Sequence, residues 1–217
     1  MLKPAISNLK IRGSIGKINN DRAVSAYMYM SRLQNLNEGI YFGNDMVQYT
    51  SLLETQQANP SATYEESTQM NLGADLGMFS NRLNATFDIW KDRRTGVYTI
   101  PSTFSSMLGY TTIYMPGKNI GKMETKGWEA SLNWKDNIGK DFAYFLSGNL
   151  SYSKNKVIDM DEALQPYDYM YSKGHPYGTS LVYIADGIFQ SYEEIAAAPV
   201  HTLNSVVPGD IRYKDIN

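Results

Sequence analysis

Over residues 127–152 the side chains alternate residue by residue. Trp128, Ala130, Leu132 and Trp134 share one parity, and Gly127, Glu129, Ser131 and Asn133 share the other. A strand sends successive side chains to opposite faces, so this limb has one apolar face and one wet face. After a polar turn at 135–139, Phe142, Tyr144, Leu146, Leu150 and Tyr152 repeat the pattern against Ser147, Asn149, Ser151 and Ser153. Aromatic and branched residues on one side with Gly, Ser and Asn on the other form the signature of a membrane β-barrel wall around a polar lumen.

The same grammar recurs upstream. Met70, Leu72, Ala74 and Leu76 alternate with Gln69, Asn71, Gly73 and Asp75. Beyond a turn at 78–81, Leu83, Ala85, Phe87 and Ile89 alternate with Asn84, Thr86 and Asp88, and near the start Leu9, Ile11, Gly13 and Ile15 oppose Lys10, Arg12, Ser14 and Gly16. These limbs predict spanning strands near 8–17, 64–77, 82–93, 119–134 and 142–155. The connections at 78–81 and 135–141 are tight, whereas 18–63, 94–118 and everything beyond about 156 are long. Outer-membrane barrels pair short periplasmic turns with longer extracellular loops, so the asymmetry gives each strand a direction, the first running outward.

The expected fold is therefore all-β, with antiparallel strands from part of a large transmembrane barrel. Leu72, Leu76, Leu83, Phe87, Ala130, Leu132, Leu146 and Leu150 are the expected lipid-facing residues. Two stretches, 23–33 and 180–190, are apolar on both parities and do not suit a polar lumen; they are expected inside long extracellular loops, packed against other loop structure. Ser191-Tyr192-Glu193-Glu194 predicts a capping box that opens a short helix through Ala198, stopped by Pro199.

Composition narrows the partners. The 217 residues carry a formal charge of −2, which leaves no basic footprint for nucleic acid. No run approaches the roughly 18 apolar residues of a membrane helix, and the mean hydropathy is negative, but a barrel escapes both tests because half of every strand faces water. Seventeen tyrosines and three tryptophans are present. Rings with a polar tip suit the lipid–water boundary, and Trp128, Trp134, Tyr144 and Tyr152 are read as an aromatic girdle rather than core packing of a soluble sandwich. The first residues, Met1-Leu2-Lys3-Pro4-Ala5-Ile6, lack the basic stretch and apolar core of a secretory signal, which predicts a fragment whose Met1 is an internal or engineered start.

Catalytic chemistry finds no support. There is no cysteine, and His175 and His201 stand far apart in polar contexts without ligand spacing, so both are expected to be surface loop residues. Acidic pairs at Glu65-Glu66, at Glu193-Glu194 and around Asp159, Asp161 and Glu162 are expected to be solvated loop carboxylates rather than acid–base or calcium sites. No nucleophile elbow, zinc-protease helix, phosphate loop or dinucleotide fingerprint occurs. Neither an enzyme nor a metal or cofactor site is expected.

The runs ESTQMNLG at 66–73, NRL at 81–83, NIGKMETKGWE at 119–129, GNLSYSKNK at 148–156, DGIFQS at 186–191 and PGDIRYKDIN at 208–217 resemble the barrel of SusC/RagA-type TonB-dependent transporters. The resemblance implies a barrel of about 22 strands, a plug domain in its lumen, a TonB-contacting segment and a SusD-type surface lipoprotein as lid. It implies outer-membrane lipid around the wall and import of oligosaccharides or peptides. On this reading the chain, residues 1–217, is a partial barrel without plug or remaining strands; it lies in the outer membrane as part of its parent and is inactive alone. The alternative from a different class is a soluble β-sandwich binding module, which also has alternating strands and turn signals. Detergent dependence separates the two.

Overall fold

The computed structural model describes residues 5–22, 24, 26–44, 46–103, 114–199 and 205–216. The chain divides into two units, Met1–Tyr177 and Gly178–Asn217. The first contains β1 (Ile6–Asn20), β2 (Arg32–Phe42), β3 (Val47–Gln56), β4 (Glu65–Met78), β5 (Leu83–Thr99), β6 (Lys118–Ile138) and β7 (Phe142–Asp159). Five of these make one antiparallel sheet in the order β1-β4-β5-β6-β7, and β2 pairs with β3 as a separate hairpin.

The strands follow from the alternation, and the register turns alternation within strands into faces across the sheet. Leu9 pairs with Leu76, Leu76 with Ala85, Ala85 with Leu132 and Leu132 with Gly148. The next row on the same side is Ile11, Ala74, Phe87, Ala130 and Leu150, and the one after it Gly13, Leu72, Ile89, Trp128 and Tyr152. Directly opposed residues point to the same side of a pleated sheet, so the five apolar stripes merge into one continuous surface. A slip by one residue in any strand would bury its stripe among the polar side chains. Among the described residues nothing covers this surface as a core would, and only Met115, Val157 and Phe189 are buried hydrophobics.

Two hairpins close one end. Between β4 and β5, Phe79, Ser80 and Asn81 all take positive φ, at 53°, 60° and 61°. Three successive left-handed residues are uncommon outside glycine and reverse the chain sharply. The second turn is tighter than the expected polar stretch at 135–139, because β6 runs on to Ile138 through the pairs Asp136–Tyr144 and Ile138–Phe142. Those rows add aromatic contacts, so pairing outlasts the polarity of Lys135, Asp136 and Asn137. Only Gly139, at φ 69°, Lys140 and Asp141 form the reversal.

Within the stretch 23–33, residues 26–31 are not strand. Tyr27 has φ 64°, the Met30 N–H donates to the Tyr27 carbonyl at 3.0 Å, and pairing begins only at Arg32, so Tyr27 to Met30 form a turn leading into the β2–β3 hairpin. Ala23 and Ser25 lie outside the described residues, as does His201. In 180–190 only Ala185–Ile188 is strand, β8 of the second unit, paired with β9 (Ile211–Tyr213). Tyr183 packs on Tyr213 with centroids 5.1 Å apart, while Leu181 and Val182 stay exposed rather than packed. Between them α1 (Tyr192–Ala197) has its N-cap at Ser191, whose Oγ accepts from the Glu194 N–H at 3.3 Å. The Glu194 carboxylate reaches back to the Gln190 N–H at 2.8 Å, one residue earlier than a regular capping box.

Beyond β7 the chain folds back on the strand end. Val157, fully buried, donates its N–H to the His175 carbonyl at 2.9 Å and accepts from the Gly174 N–H at 2.8 Å. Glu162 holds this return: its two oxygens accept from the Ser172 and Lys173 N–H groups at 2.6 and 2.9 Å. Burial alone would push the Glu162 carboxyl up, but the two backbone donors outweigh it and hold it below its ordinary value of 4.5. A carboxylate with a lowered folded-state pKa stabilises the fold above its unfolded pKa and loses that contribution as pH falls through the folded one. The Ser172 and Lys173 amides should therefore stay protected from hydrogen exchange at neutral pH and lose protection below about 4.5. Glu162→Gln should remove that pH dependence.

Candidate functional site

The sheet is a two-faced wall, and each face is a candidate functional surface. On the polar face the register lines up Arg12, Gly73, Asp88, Glu129 and Ser151. Arg12 on β1 meets Asp75 on β4 through Nε and Nη2, both at 2.9 Å, and Asp88 on β5 through Nη1 at 3.1 Å and Nη2 at 2.9 Å. One guanidinium thus forks to two carboxylates and ties three strands together, a geometry that lysine cannot reproduce. Gly73 makes the reach possible. It stands in register between Arg12 and Asp88, and a Cβ there would collide with the carboxylate and the guanidinium.

A second close approach sits two positions along. Trp90 lies over Gly127, where a Cβ would meet its ring 2.8 Å away, and its Nε1 is buried without a partner. The remaining polar face carries short hydroxyl and carboxylate contacts: Thr86 to Ser131 at 2.6 Å, Ser67 to Asp92 at 2.5 Å and Arg94 to Asp92 at 3.2 Å. Such a surface offers both donors and acceptors to polar solutes. Among the described residues no group of three His, Cys, Asp or Glu could hold a metal.

On the other face the register brings together all eight residues read as lipid-facing. Leu72, Phe87, Leu132, Leu146 and Leu150 are exposed, while Leu76, Leu83 and Ala130 are half-buried among their neighbours. The four aromatics fall into two groups. Trp128 pairs directly with Tyr152 and stacks on Phe87 at 6.3 Å. Trp134 donates Nε1 to the Tyr144 hydroxyl at 3.3 Å and meets Phe79 edge-on at 6.2 Å, beside the tight turns. The ten residue steps from Phe142 to Tyr152, at about 3.4 Å each and tilted about 40°, rise about 26 Å, against an apolar band of about 25 Å in such barrels.

Arg12, Asp75 and Asp88 fall on the polar parities of three limbs, and no local pattern joins them. Opposite charges at inward positions of three limbs were the available signal, and only the register brings them into contact. Trp90 likewise falls on the polar parity, apart from the other two tryptophans. His175 serves through its backbone, in the return loop.

A family model described as TonB dependent receptor-like, beta-barrel matches residues 5–216, and the chain belongs to that family. Among curated proteins it is similar to TonB-dependent receptor P39 of Formosa agariphila, 27% identical over 197 residues, covering 89% of this chain and 18% of that protein. It is also similar to TonB-dependent receptor SusC of Bacteroides thetaiotaomicron, 27% identical over 112 residues, covering 52% of this chain and 11% of SusC. Among solved structures, the RagAB peptide importer in its open-open state aligns with a TM-score of 0.67 at 20% identity, covering 85% of this chain and 19% of that one. The chain spans between 15% and 21% of the length of the receptors P39, P3 and P26 that it matches.

The ionic brace makes a specific demand on Gly73. Gly73→Ala should separate Arg12 from Asp88 and lower stability by removing that charge-assisted contact. Arg12→Ala, which leaves Asp75 and Asp88 without their shared cation, should also be destabilising. If the two variants act on one network, combining them should cost much less than their sum, read by urea unfolding of the receptor refolded in detergent.

Proposed function

We propose that the chain forms adjoining wall strands of an outer-membrane TonB-dependent importer, with the apolar face towards lipid and the polar face lining the lumen. The observation that carries this reading is the single uncovered apolar surface running across five antiparallel strands, with tight turns at one end and long connections at the other. A soluble sandwich needs a second sheet packed about 10 Å from the first, and none of the described residues supplies it. Lipid is the remaining cover that matches a stripe of this height.

The spanning parts are those read near 8–17, 64–77, 82–93, 119–134 and 142–155; β1, β5 and β7 run on beyond them, to Asn20, Thr99 and Asp159. Family membership and the RagAB fold support nutrient uptake as the activity of the assembled receptor, with oligosaccharide or peptide as cargo. A SusD-type lipoprotein lid and TonB are the proposed partners. Such a receptor works by binding and moving its cargo, not by chemistry on it. Residues such as Asn71, Asp88, Glu129 and Ser151 would present hydrogen-bonding groups to water and solute in the lumen.

The two faces are separable by charge. In the complete receptor Leu132→Arg should cost about 2–4 kcal/mol and reduce assembly, as expected for Arg near a bilayer midplane, while Ser131→Arg should be mild. Heat-modifiable mobility on gels reads the folded fraction. Equal damage at both positions would reject the assigned faces. A chain of 1–217 that melts cooperatively as a monomer without detergent would reject the barrel wall altogether.

A further inference from the structure

On the apolar face, the row beyond Trp128 and Tyr152, away from the tight turns, changes chemistry abruptly. The register aligns Met70, Lys91, Lys126 and Lys154, and the following row aligns Thr68, Arg93, Glu124 and Lys156. All share the parity of Leu72, Ile89 and Trp128, so five cations stand on the same side as the apolar band. Glu124 is the one carboxylate in these two rows, and it pairs with Lys91 at 2.8 Å. Among the described residues no carboxylate lies within ion-pair distance of Lys126, Lys154, Lys156 or Arg93. The turn end has no counterpart: there the same parity continues as Asp136 and Ile138 opposite Tyr144 and Phe142.

Directly beneath the lysine row lies a hollow of about 490 Å³, walled by Met70, Leu72, Ile89, Trp128 and Tyr152, with Lys91 and Lys126 at its rim. An apolar hollow with Lys91 and Lys126 in its lining, and Lys154 next in their row, matches the two parts of an acidic lipid. We propose that it seats one outer-leaflet lipid, an acyl chain against Ile89, Trp128 and Tyr152 and the headgroup phosphate held by Lys91, Lys126 and Lys154.

Strands stand about 4.8 Å apart, so three lysines in one row span about 10 Å, and their flexible stems can converge on one phosphate. The site favours a phosphomonoester, whose charge is not offset by a cation of its own, over a zwitterionic headgroup. Glu124 already engages Lys91, which leaves Lys126 and Lys154 as the principal contacts. The placement in the outer leaflet rests on the barrel-wall reading above.

The test uses the complete receptor in nanodiscs of phosphatidylcholine and phosphatidic acid in equal amounts, with a photoreactive benzoylphenylalanine in place of Trp128. Cross-linked lipids are identified by mass spectrometry. Phosphatidic acid should exceed phosphatidylcholine by at least about fivefold, the effect of roughly one lysine at a membrane surface. Lys91→Gln, Lys126→Gln and Lys154→Gln together should bring the ratio to that of the bilayer while phosphatidylcholine adducts persist, which also reports that the variant is inserted. Adducts in proportion to the bilayer already in the unsubstituted lysine background would overturn the lipid site and leave the barrel wall standing. Loss of the enrichment on adding inorganic phosphate would overturn it too, by making a free anion the ligand. No lipid adduct of either kind would bring down both the site and the barrel wall.

Discussion

Backbone pairing across the β4–β5–β6 strands is the constraint on which the rest depends. A strand in hydrocarbon has no water to satisfy its N–H and C=O groups, so every one must find a neighbouring strand. The long registers of β5 with β6 and of β6 with β7, from Lys122 to the turn, meet that demand with few interruptions. Once pairing is continuous the pleat leaves each side chain only two directions. The division into an apolar and a polar face follows from parity alone.

That geometry explains why the wall can be thin. A soluble domain buries its apolar face against a second layer, whereas here three buried hydrophobics are found among the described residues. Stabilisation has to come from cross-strand pairs on the two surfaces. On one side these are rows such as Phe87 with Ala130, and on the other the Arg12 fork to Asp75 and Asp88. Glycine has a structural part in the polar rows: Gly73 and Gly127 supply the space that lets Arg12 and Trp90 reach across a neighbouring strand.

The two ends of the strands differ in chemistry. At the turn end the reversals are short and ringed by Phe79, Trp134, Phe142 and Tyr144. At the other end the strands outrun the apolar band and become charged, then enter long connections that carry the β2–β3 hairpin and the loop tied down by Glu162. In those connections the sequence is free of the pairing constraint.

The sequence by itself determined the strands of the wall and their two parities, because alternation with period two is a local property that any strand must express. It also determined the tight turns within a few residues, the capped helix after Ser191, and the family, through runs such as NIGKMETKGWE. Where pairing continues past a polar stretch, as at Lys135 to Ile138, local polarity misled, since the deciding contacts come from Tyr144 and Phe142 on the next strand. Only the tertiary structure decided which rows align. Arg12 stands 63 residues from Asp75 and 76 from Asp88, and no local pattern reports that register brings them together across Gly73. The lysine row is of the same kind: Lys91, Lys126 and Lys154 look like unrelated surface charges along the chain and become one feature only when three strands lie side by side.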